Sequence, residues 1–343
     1  MKKTLKLTCF LLITVLSISL LASCSNKEEE KPQNKSLTTI RLSEVVRSIF
    51  YAPMYASISQ GFFEEEGIKI DLSTAQGADK TAQQVLSKNA DIGFCGAEQL
   101  IYLYNQGRDD HGKIFAQLTQ RDGSFLVARN GDNFNWSDVK GKTIIGGRPG
   151  GVPEMALESV LKKNEVTPFK DVDIITNLAF NATSGAFKSG TGDYIACFEP
   201  TASLLEKEKA GKIVASIGKE SGELAYTCFF ATNEYIDKNK DVVQGFTNAV
   251  YKGQLWVSKT PSIEVARSIV GFFPGADVDS LAVIIDRYKE INAYSPTPTV
   301  SEKGLTNLMN IVEDYKKDLI EKRPPVGDIS TNDFANKAIE KVK

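Results

Sequence analysis

The chain holds a single histidine, and that scarcity removes most proton-shuttling chemistry at the outset. His111 stands in Arg108-Asp109-Asp110-His111-Gly112, a run of loop character. Ser–His–acid and Cys–His catalysis both need a base beside a nucleophile. Cysteine is scarce too, and the spacing of Cys95, Cys197 and Cys228 fits no zinc pattern. These three read as buried small residues. Neither sign of charge dominates: 41 Lys and Arg stand against 43 Asp and Glu, so nothing suggests nucleic acid. The apolar run Leu7–Leu21 is too short to cross a membrane comfortably. The glycine-rich loop Gly146-Gly147-Arg148-Pro149-Gly150-Gly151 lacks the Lys-Ser/Thr ending of a phosphate loop, which argues against nucleotide hydrolysis. No cofactor and no metal are expected.

What is present begins with an address. Lys2, Lys3 and Lys6 precede the apolar run, which ends Leu21-Ala22-Ser23-Cys24. This resembles a bacterial lipoprotein signal, which implies removal of residues 1–23 and lipid on the sulfur of Cys24. Ser25–Ser36 carries no large apolar residue, so residues 24–37 read as a disordered tether holding a body to the outer face of a membrane.

The body is organised around Thr39–Gly67. Ile40, Leu42 and Val45 have strand character, Arg47–Ala52 turns the chain, and Pro53 suits a first helical position. Ala52 then falls at the cap without a side-chain oxygen. Ser48, water or a ligand must satisfy the first-turn N–H groups. Strands alternate with helices from here on, which predicts an α/β fold with much parallel sheet. Ligands in such sheets sit beyond the carboxyl ends of strands. That puts Phe50, Tyr51, Ala52, Gln76–Ala78 and the stretch Phe94, Cys95 to Glu98 on one rim. A second α/β unit follows a polar stretch, and the chain then returns. The expected lobes are 38–128 with 226–343, and 129–225, with a helical C-terminal region. The halves echo each other: Asp91 to Cys95 with Glu98 close behind, and Asp193 to Cys197 with Glu199 close behind.

The lipoprotein start, Ser48-Ile49-Phe50-Tyr51-Ala52-Pro53-Met54-Tyr55, Gly61-Phe62-Phe63-Glu64-Glu65-Glu66-Gly67, the two helix–Asp–strand units and Phe198-Glu199-Pro200 together resemble one family. It is the solute-binding proteins of ABC importers, in the group handling thiamine pyrimidine precursors, sulfonates, taurine and nitrate. The resemblance implies a type II periplasmic-binding-protein-like fold with two crossover strands and a small molecule in the cleft. Its implied partners are a permease and an ATPase, and a monomer is expected.

Three signals bear on the cleft. Glu98, Glu154 and Glu199 fall at predicted helix starts, where an acid is favourable without any ligand. Two of them facing the cleft would disfavour an anion and suit an aminopyrimidine. The loop containing Gly147 and Gly150 either cradles an anion through backbone N–H groups or is a tight turn. Arg47 and Arg121 are further candidates for an anion. Among Phe50, Tyr51, Phe94, Phe125, Phe198 and Tyr226, some rings would stack on a flat ligand. The preferred ligand is a flat nitrogen heterocycle of the thiamine-pyrimidine type, with Glu98 and Glu199 accepting its donors. A sulfonate, taurine or nitrate anion stays open, as do an enzyme of pyrimidine synthesis and a lipoprotein sensor.

Overall fold

The computed structural model describes residues 36–342 apart from 109 and 132. The leader, Cys24 and nearly all of the tether lie outside these residues. Leu37 onward forms one compact unit.

Among the described residues, ten strands make two five-stranded sheets. The first joins β1 (Thr38–Glu44), β2 (Ile68–Thr74), β3 (Ile92–Gly96), β4 (Lys113–Gln117) and β10 (Thr227–Ala231) in the order β2-β1-β3-β10-β4. The second joins β5 (Ser124–Ala128), β6 (Thr143–Ile145), β7 (Asp173–Ile175), β8 (Tyr194–Phe198) and β9 (Lys212–Ser216) in the order β7-β6-β8-β5-β9. In each, three strands run parallel and an antiparallel strand enters fourth: β10 beside β3 and β4, β5 beside β8 and β9. That fourth strand arrives from the other half of the chain. The chain therefore passes between the two sheets twice, at 118–123 and 217–226. Ser124–Ala128, the end of the stretch expected to close the first lobe, pairs wholly within the second sheet.

The sequence echo has a structural cause. The Asp91 carboxylate accepts the backbone N–H of Arg41 at 2.8 Å, and Asp91 N–H returns to Arg41 C=O at 2.9 Å. Asp193 does the same with Thr143, at 3.0 and 2.8 Å. Each aspartate fastens the third parallel strand to the first just before it enters its sheet.

The C-terminal helices dress the first sheet. The helix Lys240–Lys259 lies against Ala52–Ser59. Gly253 permits that approach: a Cβ there would sit 2.4 Å from the Pro53 carbonyl. The second sheet buries Ile144, Leu157, Val160, Leu161 and Ile174 beneath the helix Val152–Lys163. Candidate residues from the two sheets meet where Phe50 packs against Phe198.

Candidate ligand cleft

The aromatic candidates pack against one another. Ser48 caps the short turn Ile49–Tyr51, its side chain accepting from Phe50 N–H at 3.3 Å. This turn runs directly into the helix Ala52–Ser59, and the Ala52 N–H donates to Ile49 C=O. The donor at Ala52 is thus consumed by the chain itself, rather than offered to a ligand. The turn projects Phe50 among Tyr51, Phe198, Tyr226 and Tyr288, with centroids 5.0–5.9 Å away. Tyr51 meets Phe94 edge-on at 4.6 Å, and Phe125 meets Tyr288 at 5.9 Å. All six aromatic candidates therefore join one connected cluster spanning both lobes.

Acids sit at the strand ends. Glu98 opens the helix Glu98–Asn105 and folds back over Gly96, where a Cβ would lie 1.9 Å from its Oε2. It is 1% exposed; Oε1 accepts from Gln99 at 3.0 Å, while Oε2 has no partner. Burial pushes its carboxyl above the usual range. Burial also raises the Tyr51 and Tyr226 hydroxyls, and the Glu98 charge adds to both. In the second lobe Glu154 mirrors this arrangement over Gly146, where a Cβ would lie 2.4 Å from Oε2. That oxygen accepts from Gly147 N–H at 2.6 Å.

Glu199 behaves differently. Its carboxylate accepts from Ser203 N–H and Ser203 Oγ, both at 2.9 Å, and pairs with Arg287. Every strong donor it needs is already supplied, so the expected ligand role at Glu199 gives way to an anchoring one. The helix it precedes begins at Thr201 rather than at Glu199.

The glycine loop closes on the first lobe. Gly150 C=O accepts from Tyr102 Oη and Gly150 N–H donates to Tyr315 Oη, each at 3.2 Å. Arg148 pairs with Asp79 across the mouth at 2.7 Å. The N–H groups of Gly147 and Gly150 are therefore both engaged, and the loop is a latch rather than an open anion cradle. Arg47 is likewise committed to Glu44, which also accepts from Tyr55 and Thr74. Two open grooves, of about 170 and 520 Å³, lie along Arg41–Lys88–Tyr235 and Glu223–Lys303–Asn307. Neither brings buried acids together with rings.

The NMT1/THI5-like profile matches residues 49–263. YtlA of Bacillus subtilis (strain 168), whose name describes a binding protein, is 44% identical over 306 residues, 89% of this chain and 91% of its own length. The chain belongs to the NMT1/THI5-like family. Solved structures agree on the fold. The ligand-binding component of an ABC-type import system from Staphylococcus aureus superposes with TM-score 0.70 at 15% identity, covering 88% of this chain and 99% of that one. The alkanesulfonate-binding protein SsuA from Xanthomonas axonopodis pv. citri gives 0.67 at 14%, covering 86% and 98%. By its relative YtlA, the family is one of binding proteins.

Three positions that contact these candidates escape sequence reasoning. Asp122, in the first crossing, is fully buried; its Oδ1 accepts from Ser124 N–H at 2.7 Å, and the Tyr226 hydroxyl of the second crossing lies beside it. Tyr288 donates to Gly123 C=O at 3.1 Å and accepts from Glu199 N–H at 3.3 Å. Tyr102 reads as one apolar position on a helix, and only the folded chain aims its hydroxyl at Gly150. The one available signal was that Arg121-Asp122-Gly123 interrupts a β-rich run. Cys95 and Cys228 stand opposite each other in β3 and β10, buried and free, as is Cys197.

Proposed function

We propose that this chain is the extracytoplasmic solute-binding component of an ABC importer, and that its cleft takes a flat, N–H-bearing nitrogen heterocycle of the aminopyrimidine class. The unpartnered Oε2 of buried Glu98 carries this reading. An acceptor withdrawn from water needs a donor, and a carboxylate without one is costly. Beside it stand Tyr51 and Tyr226, in the ring cluster where a flat solute would stack. The remaining acids repel an anion, and Arg148 is spent on Asp79. Likeness to the binding component of an ABC-type import system supports delivery to a permease and its ATPase, and lipidation of Cys24 would keep the body at the membrane. Lobe boundaries near the two crossings, with residues 24–37 as tether, belong to the same proposal. A sulfonate- or nitrate-type anion is the second reading, favoured by the buried Nε of Arg121, which lacks a partner.

The test uses residues 37–343 in thermal-shift and calorimetric titrations with 4-aminopyrimidine, taurine and nitrate. A binder of the folded state raises the melting temperature. An aminopyrimidine response is expected, with Glu98→Gln weakening it by about tenfold to a hundredfold, as for loss of a hydrogen bond to a charged group. Response to taurine or nitrate alone would sink the heterocycle and move attention to Arg121.

The latch makes its own prediction. Tyr102→Phe removes the hydroxyl from Gly150 and leaves the ring in place. Affinity is expected to fall about two- to tenfold, mostly through faster release, since the lost bond exists only with the lobes together. Stopped-flow dissociation checks it; an unchanged off-rate would show that Gly150 is not a closing contact.

A further inference from the structure

The helix Val152–Lys163 carries Glu154 and Glu158 one turn apart, 0% and 5% exposed. Oε1 of each lacks a donor among the described residues. Two carboxylates offer only acceptors, so they cannot satisfy each other unless one proton lies between them.

The pair lies where the lobes meet. The helix Glu302–Tyr315 packs against Val152–Lys163 and is held to the first lobe by Ser301 N–H on Gln117 Oε1 at 2.9 Å. It presents Asp314 and Tyr315 to the pair. Lys162, on the glutamates' own helix, is bound to that Asp314 at 3.1 Å. Arg148 in the preceding loop is committed to Asp79. Glu98 and Tyr102 come from the helix Glu98–Asn105, with Tyr102 Oη 3.7 Å from Met155 Sδ. The short helix Ile217–Ser221 adds Lys219 and Glu220. Among the described residues, Lys162 is the cation that acts on Glu158, and it is shared with Asp314.

We infer that closing the lobes takes up a proton at the Glu154–Glu158 pair, so that falling pH favours the closed state and rising pH opens it. Uptake requires two lobes that move; it does not require a heterocycle in the cleft. Burial pushes Glu154 up to about 8, against the Gly147 N–H and aided by the Glu158 charge. Burial likewise raises Glu158, with Lys162 opposing and Asp314 reinforcing it. Opening returns water to these carboxyls and their proton affinity falls toward the ordinary range, about 4.3. The closed state therefore holds the extra proton between these two limits. The closed-to-open ratio falls by up to about tenfold per pH unit across that window and levels off above it.

Spin labels at Lys69→Cys and Lys170→Cys, both exposed and on different lobes, report the separation in residues 37–343. Native Cys95, Cys197 and Cys228 are buried, and labelling is confined to the new sites. Pulsed dipolar spectra at about pH 5.5 and about pH 9 are expected to shift the short-to-long population ratio at least tenfold. Glu158→Gln places an amide donor where the proton sat, so its population should stay short at both values. Glu154→Gln serves the same purpose if Glu158→Gln fails to fold. A wild-type distribution indifferent to pH overturns the inference, as does a full pH response retained in both glutamine variants.

Discussion

Replacing Arg287 by methionine is expected to destabilise the body by about 3 kcal/mol, while Arg287→Met with Glu199→Gln recovers most of the loss. Glu199 is 2% exposed, and its carboxylate holds Ser203 and Arg287. Removing the guanidinium strands a buried charge, which is the costly way to break such a pair. Methionine keeps the length of the stem, so lost packing is minimised. Ser203 continues to donate twice, which holds the cost to the lower part of the range for broken buried pairs. For a unit of this size the melting temperature should drop roughly 5–10 °C. Arg287 also touches Glu206 at 3.4 Å, but that carboxylate is about a third exposed and contributes little. Urea melts of the wild type, both single variants and the double variant form a complete cycle. If the double variant is as weak as Arg287→Met alone, stranding of Glu199 is not the cause.

The same pair shows how far residues alone can be read. β8 was legible to its ends, Tyr194–Phe198, because a run of apolar residues lies between a polar turn and a proline. The matching of Asp91 with Asp193 was legible as spacing, since each performs a local task on the neighbouring strand. The pairing of Glu199 was not legible because its partner is 88 residues away on a helix whose spacing reads only as amphipathic. Long-range pairing leaves no local trace. Gly147 and Gly150 looked like open donors for the same reason: Glu154 and Tyr315 consume them only once the chain is folded. The meeting of the aromatic candidates was legible, because strand ends in an α/β fold gather on one side of the sheet. The polar run after Ala128 reads as the stronger break in the sequence. The passage from the first sheet to the second lies at Arg121-Asp122-Gly123, and Ser124–Ala128 is fully buried strand beyond it.

Gly218→Ala is expected to cost about 4 kcal/mol or more, as overpacking against rigid backbone does when nothing can rotate aside. Gly218 lies in the short helix Ile217–Ser221 of the second crossing. A Cβ there would stand 1.8 Å from the Asp122 carbonyl oxygen and 2.8 Å from its carbon, in the first crossing. Real side chains never approach so closely, so the two crossings would have to part by more than an ångström. Asp122 cannot yield alone: Ser124 N–H holds its carboxylate at 2.7 Å, and Tyr226 leans on it from the second crossing. Tyr226 in turn packs edge-on against Phe50, so parting the crossings disturbs the cleft floor as well as the hinge. Stability and ligand affinity should therefore fall together. Gly271→Ala is the matched control, since a Cβ at that position meets nothing within 4 Å and its φ is not in the left-handed region. There the substitution should be neutral or stabilise slightly, by restricting the unfolded chain. Scanning calorimetry of the two variants separates a general glycine effect from the contact between crossings. A Gly218→Ala protein melting within a degree or so of Gly271→Ala would mean that the crossings are not in contact, and that the lobes pivot on some other element.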